Sequence, residues 1–111
     1  MINVDDLKQY LREFAADRDW EKYHSPKNLV MAMSVEMAEL MEHFEWMTEQ
    51  QSLNLDEQTR DAVSLEMADV LIYLVRMADR CEIDLDDAVE RKLILNGQKY
   101  PPSKNDTRIP E

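Results

Sequence analysis

Glycine and cysteine are nearly missing from this chain, with one of each in 111 residues. A β protein needs turn residues about every 8–12 positions, and one Gly with four Pro does not supply them. The one cysteine, Cys81, has no internal disulfide partner, which fits a reducing cytoplasm. It reads as a small buried apolar residue. Basic residues are also scarce. Against 24 acids stand 13 Lys and Arg, leaving a net charge of −11. That balance argues against binding nucleic acid or an anionic membrane through the overall field. No apolar run reaches the ~18 residues of a membrane span, and "MINVDDLKQY" lacks the basic-then-apolar layout of a signal peptide. The expectation is a cytoplasmic protein with one domain over residues 1–100. The tail 101–111, "PPSKNDTRIPE", has almost no apolar content and reads as loose.

What is abundant favours helix: Leu, Met, Ala, Glu, Asp and Gln. Asn3 with Asp5 and Asp6 behind it reads as an N-cap, and Val4, Leu7, Leu11 and Phe14 recur at helical spacing to about Arg18. "DWEKYHS" then reads as an aromatic loop. Ser25-Pro26 starts a second helix, a capping residue followed by proline at the first helical position, running to about Met47. After a polar connection, "TEQQSLNLDEQT", a third helix runs from Asp56 or Glu57 to about Cys81. Asp84 caps a fourth, through "AVERKLILNGQKY". The fold class is therefore all-α, a four-helix bundle. The second helix leaves only a narrow polar wedge around Ser34, Glu42 and Glu45, and "VLIYLV" (70–75) covers every side of the third. Helices apolar all round must be buried on all sides. Four helices enclose too little for that, so the chain should self-associate.

Within these apolar helices stand two near-identical phrases, "EMAEL" (36–40) and "EMADV" (66–70). Each sets two acids three residues apart: Glu36 with Glu39, and Glu66 with Asp69. A helical salt bridge needs a base three or four residues away. Around Glu36 those positions hold Ala32, Met33, Glu39 and Leu40; around Glu66 they hold Ala62, Val63, Asp69 and Val70. Glu39 meets only His43. From Asn28 to Thr59 there is no Lys or Arg at all. Burying unpaired carboxylates costs several kcal/mol each unless a cation compensates or they take up protons. Acids at i and i+3 are close enough to share a divalent ion, and an all-oxygen site suits Mg²⁺ or Mn²⁺. A di-iron bundle would want Glu-x-x-His on two helices, and neither phrase has that His. No glycine-centred acidic loop offers an EF-hand. Mg²⁺ held by helix-borne acids keeps waters and meets substrate phosphates, which points to phosphoryl chemistry.

The pattern resembles the all-α NTP pyrophosphohydrolases of the MazG-like superfamily, whose signature is E-x-x-E, a spacer, then E-x-x-D. Here it reads Glu36-Met-Ala-Glu39, residues 40–65, then Glu66-Met-Ala-Asp69. Many members carry a further Glu before the first motif acid, where this chain has Val35. That departure fits the dCTP pyrophosphatase-like branch, which the stretches "FAADRDWEKYH", "NLVMAMSVEMAEL", "FEW", "EMADVLIYLVRMADRCEIDL" and "YP" also resemble, over residues 7–101. The resemblance implies a MazG-like bundle assembled as a homodimer or homotetramer, with sites lined by more than one subunit. It implies hydrolysis of a nucleoside triphosphate, dCTP or a modified dCTP above all, to the monophosphate and pyrophosphate. Glu36, Glu39, Glu66 and Asp69 would hold Mg²⁺, and one of them would also orient the attacking water.

Trp20, Tyr23, His24 and Trp46 supply flat faces and donors suited to a nucleobase. Taken alone, the tryptophans read as core anchors and His24 as a loop histidine; the resemblance gives all four, with Tyr73, to the nucleotide. Tyr73 lies one helical turn after Asp69 and two after Glu66, on their face. Lys92 and Asn96, at i and i+4, would read alone as an exposed lysine and a helix-end asparagine. By resemblance they bind phosphates, with Lys99 as a further candidate cation. Two other readings stand beside this one: a broad-specificity MazG-like housecleaning enzyme, and a non-enzymatic acidic helical module that only oligomerises.

Overall fold

The computed structural model describes residues 2–102, and all its regular structure is helical. Five α-helices occur among the described residues: α1 (Val4–Asp17), α2 (Pro26–Glu42), α3 (Glu49–Ser52), α4 (Glu57–Arg80) and α5 (Leu85–Lys99), with a 3-10 turn at Glu21–Tyr23. The chain divides into two compact units, Met1–Cys81 and Glu82–Glu111. Residues 103–111 of the expected tail lie outside the described residues.

Each long helix starts where a short polar side chain can answer an orphan backbone N–H. Asn3 accepts from the Asp6 amide, Ser25 from Asn28, Asp56 from Thr59 and Asp84 from Asp87. The expected four helices become five because the polar connection holds a turn of its own. Thr48 and Gln51 cap one another's backbone there in a reciprocal box. α2 also stops at Glu42 rather than Met47. The amides of His43 and Phe44 turn back to Leu40 and Met41, and Met47 to Phe44, tightening the chain out of α-helix.

In the first unit α2 and α1 both pack against α4. Among the described residues the buried apolar side chains are few: Ala15 on α1, Leu29 on α2, and Val63, Val75 and Ala78 on α4. The expectation that "VLIYLV" is buried on every side is not met within a single chain, because Ile72 and Leu74 remain exposed. α2 likewise exposes Val30, Met31, Val35, Met37 and Met41. Cys81 is half-buried at the C-cap of α4, not enclosed.

The link from α1 to α2 positions one wall of the site. Asp19, at φ 55°, takes the left-handed conformation that Asp tolerates better than most residues. The amides of Asp19 and Trp20 close back onto Ala16 and Ala15. This sets Trp20 edge-on to Phe14, with ring centroids 5.7 Å apart.

Candidate metal and nucleotide site

The pairing of α2 with α4 faces the two acid phrases toward each other. One carboxylate oxygen from each of Glu36, Glu39 and Glu66 lies within 4.8 Å of the other two. Opposite oxygens around Mg²⁺ sit about 4.2 Å apart, twice the usual Mg–O distance. A slight contraction therefore brings the three to ligating range. Glu36 Oε2 and Glu66 Oε2 are shut away from solvent, and among the described residues no donor reaches either. Such atoms are rare in folded proteins and ask for a partner. The Glu36 carboxyl is pushed up to about 7, by burial first, then by the adjoining Glu66 carboxyl and by the charges of Glu39 and Asp69. The donor set fits a hard divalent cation: only oxygens, from carboxylates that make no ion pair among the described residues.

The expectation of four core acids is corrected in part. Glu36 and Glu66 are half-buried, whereas Glu39 and Asp69 are exposed in the single chain. The packing of α2 on α4 leaves them toward the rim. Asp69 stands outside the three-carboxylate group but close enough to act on Glu36. It also lines a cavity of about 150 Å³ walled by Phe14, Trp20, His24, Ile72, Tyr73 and Arg76, among others. The metal candidates and the aromatic candidates thus share a border at Asp69. Burial, then the charges of Glu36 and Asp69, push the Tyr73 hydroxyl above its ordinary pKa, so it stays a neutral donor.

His24 is fixed from two sides. Its Nδ1 accepts from Arg76 Nε at 3.1 Å, and its carbonyl accepts from Arg80 Nε at 3.0 Å. Burial and those two cations lower its pKa, so the ring is neutral and carries its proton on Nε2.

Two other predicted residues of the first unit, Tyr23 and Trp46, do not line this cavity. Tyr23 is exposed at the end of the 3-10 turn, with Lys22 Nζ 5.2 Å from its ring centroid. Trp46 is 90% exposed in the turn after α2. Lys92 and Asn96 lie one turn apart on α5, with Lys99 beyond them, in the second unit.

One residue escaped the sequence reading. Arg76 sits inside an apolar run yet is only 3% exposed, and it lines the cavity. The spacing Asp69, Tyr73, Arg76 puts all three on one helical face, a signal for its placement but not for its partners.

A model of the MazG-like family matches residues 31–108. The dCTP pyrophosphatase 1 of Mus musculus is 44% identical over 100 residues, which covers 88% of this chain and 59% of the mouse protein. That of Homo sapiens is 42% identical over 100 residues, with the same shares of 88% and 59%. This chain therefore spans 59% of the length of those curated relatives. The crystal structure of a pyrophosphatase from Archaeoglobus fulgidus matches with a TM-score of 0.84 at 42% identity, covering 91% of this chain and 94% of that one.

Proposed function

The chain belongs to the MazG-like family, and on that premise we propose that it is a Mg²⁺-dependent nucleotide pyrophosphohydrolase. The substrate we assign is a deoxynucleoside triphosphate, dCTP or a base-modified dCTP, split into the monophosphate and pyrophosphate. The relatives named dCTP pyrophosphatase 1 and the archaeal pyrophosphatase support this choice. One observation carries it: two solvent-excluded carboxylate oxygens without donors, one from α2 and one from α4, with Glu39 within 4.8 Å.

Glu36, Glu39 and Glu66 would hold Mg²⁺, with Asp69 joining from the rim. Bound there, the ion supplies charge neutralisation for the triphosphate and an activated water for in-line displacement at the α-phosphorus. The chain's own residues do the rest. One of the four carboxylates would also orient the attacking water. Trp20 and His24 give the base a wall and a neutral donor, and Tyr73 offers its hydroxyl between base and phosphates. The phosphate roles of Lys92 and Asn96 rest on the family resemblance. Tyr23 and Trp46, exposed in one chain, would meet the nucleotide across a subunit contact.

That contact belongs to the proposal too. A homodimer or homotetramer would cover the apolar side chains of α2 and α4 that one chain leaves open, Met31, Val35, Met41, Leu65 and Met67 among them. The setting we assign is cytoplasmic, on the unpaired Cys81. No helix among the described residues is long and apolar enough to cross a membrane. The deciding experiment incubates the protein with a panel of NTPs and dNTPs plus Mg²⁺ and resolves the products. dCMP with pyrophosphate is the expected outcome. Release of orthophosphate, or no turnover of any nucleotide, overturns the reading.

A further inference from the structure

Arg76 is a buried cation whose hydrogen bonds do not close. Its Nε donates to His24 Nδ1 at 3.1 Å, and its Nη1 reaches Asp79 Oδ2 at 3.5 Å. Asp79 is gripped in turn by Arg12, through Nε at 3.0 Å and through Nη2. The guanidinium is thus held by its own helix, by the aromatic loop and, through Asp79, by α1. Its Nη2 is shut from solvent and has no partner among the described residues. Guanidinium nitrogens only donate, and a buried donor left unmade costs the full desolvation of the group. Such an arrangement persists where a ligand supplies the missing acceptor.

The surroundings say what kind of acceptor. The cavity that Arg76 lines is walled mainly by Leu11, Phe14, Trp20, Leu29, Ile72 and Tyr73, which favours a flat, weakly hydrated ligand part over a phosphate. Its volume, about 150 Å³, matches a cavity that accepts one benzene-sized ring. We propose that Arg76 reads the base, donating its unpaired Nη2 to the acceptor edge of a single-ring base, and that this contact favours cytosine over thymine. Cytosine offers two adjacent acceptors, O2 and N3, to a guanidinium edge. Thymine presents an N3–H there, which would face the cation donor to donor. Asp79 and Arg12 act as positioning residues, because they fix the guanidinium and touch no substrate. The inference rests on the pyrophosphohydrolase reading and names a residue that sets base choice within it.

The test measures kcat/KM for dCTP and dTTP in wild type, Arg76→Met and Arg76→Lys. Losing a charge-assisted hydrogen bond should shrink the dCTP-over-dTTP preference of Arg76→Met by about 10- to 100-fold, chiefly through KM for dCTP. Arg76→Lys should fall between. An equal fall for both substrates would make Arg76 a packing or phosphate-binding residue and overturn the inference. A second arm needs no variant: wild type should turn over a dCTP analogue lacking the 2-carbonyl oxygen less efficiently by a similar factor. Equal turnover of that analogue and dCTP overturns the inference as well. Wild type inert toward every nucleotide with Mg²⁺ would instead remove the underlying reading, before any variant is compared.

Discussion

Asp79 and Glu66 lie on the same helix, both turned toward a neighbouring helix, yet their charges are met in opposite ways. Asp79 takes two hydrogen bonds from Arg12 and faces Arg76. Its carboxyl is held below the usual carboxylate range, first by the Arg12 hydrogen bond. Glu66 has a buried oxygen that no donor among the described residues reaches, and its neighbour Glu36 across the helix pair has another. The first acid is completed by the chain itself. The second belongs to a group of carboxylates that we propose is completed by a bound cation. The comparison separates an ion pair within the fold from the carboxylates proposed to hold Mg²⁺, and each half can be broken independently.

The largest effect should come from the uncompleted half. Glu36→Gln or Glu66→Gln should lower kcat on dCTP with Mg²⁺ by on the order of 10³-fold or more, with helical circular dichroism intact. Near-wild-type turnover in either variant would remove the metal assignment. Next is the metal itself. At a hundredfold excess over its Kd, Mg²⁺ should add about 2.7 kcal/mol of stability, visible as a raised melting temperature. The double variant Glu36→Gln/Glu66→Gln should lose that rise, and Asp79→Asn should keep it.

Breaking the completed half should cost stability, not metal binding. Asp79→Asn leaves the buried Arg76 without its counter-charge. Because Arg12 is half-exposed, the loss should be on the order of 2 kcal/mol, below the ~3–5 of a fully enclosed pair. Urea unfolding measures it, and an unchanged midpoint would show that the pair holds nothing. The smallest effect is in pH. Glu36 ionises near 7 in the fold against 4.5 ordinarily, so the folded chain binds the proton more tightly. Without metal, the contribution of Glu36 to stability, read as wild type minus Glu36→Gln, should be fullest below about pH 4.5 and decline as pH rises through 7. Mg²⁺ should flatten that slope, and a metal-free difference that rises through the window would contradict the raised carboxyl.

Much of this was legible in the residues. Asn3, Ser25, Asp56 and Asp84 cap as their types and positions predict, because capping is local chemistry. The acid phrases were legible through the absence of bases within helical reach. What escaped was set by more than local sequence. The stop of α2 at Glu42 depends on a tight turn at residues 43–46 that apolar periodicity runs straight through. α3 had its signal, Thr48 with Gln51 three residues on, inside a stretch whose polarity suggested loop. The outward turn of Glu39 and Asp69 follows from how α2 and α4 are rotated against each other, which i, i+3 spacing does not fix. Arg76 was hidden by its own neighbours: its partners His24 and Arg12-bound Asp79 are brought to it only when α1 and the aromatic loop pack on α4.

The contrast between the two acid sets is tested most directly by titrating Mn²⁺, a spectroscopic substitute for Mg²⁺, and following free ion by electron paramagnetic resonance. The wild-type protein and Asp79→Asn should both remove the free-ion signal in proportion to protein added, while Glu36→Gln/Glu66→Gln should not. Binding that survives the double glutamine variant, or that is lost with Asp79, would contradict the assignment of the α2–α4 carboxylates as the metal site.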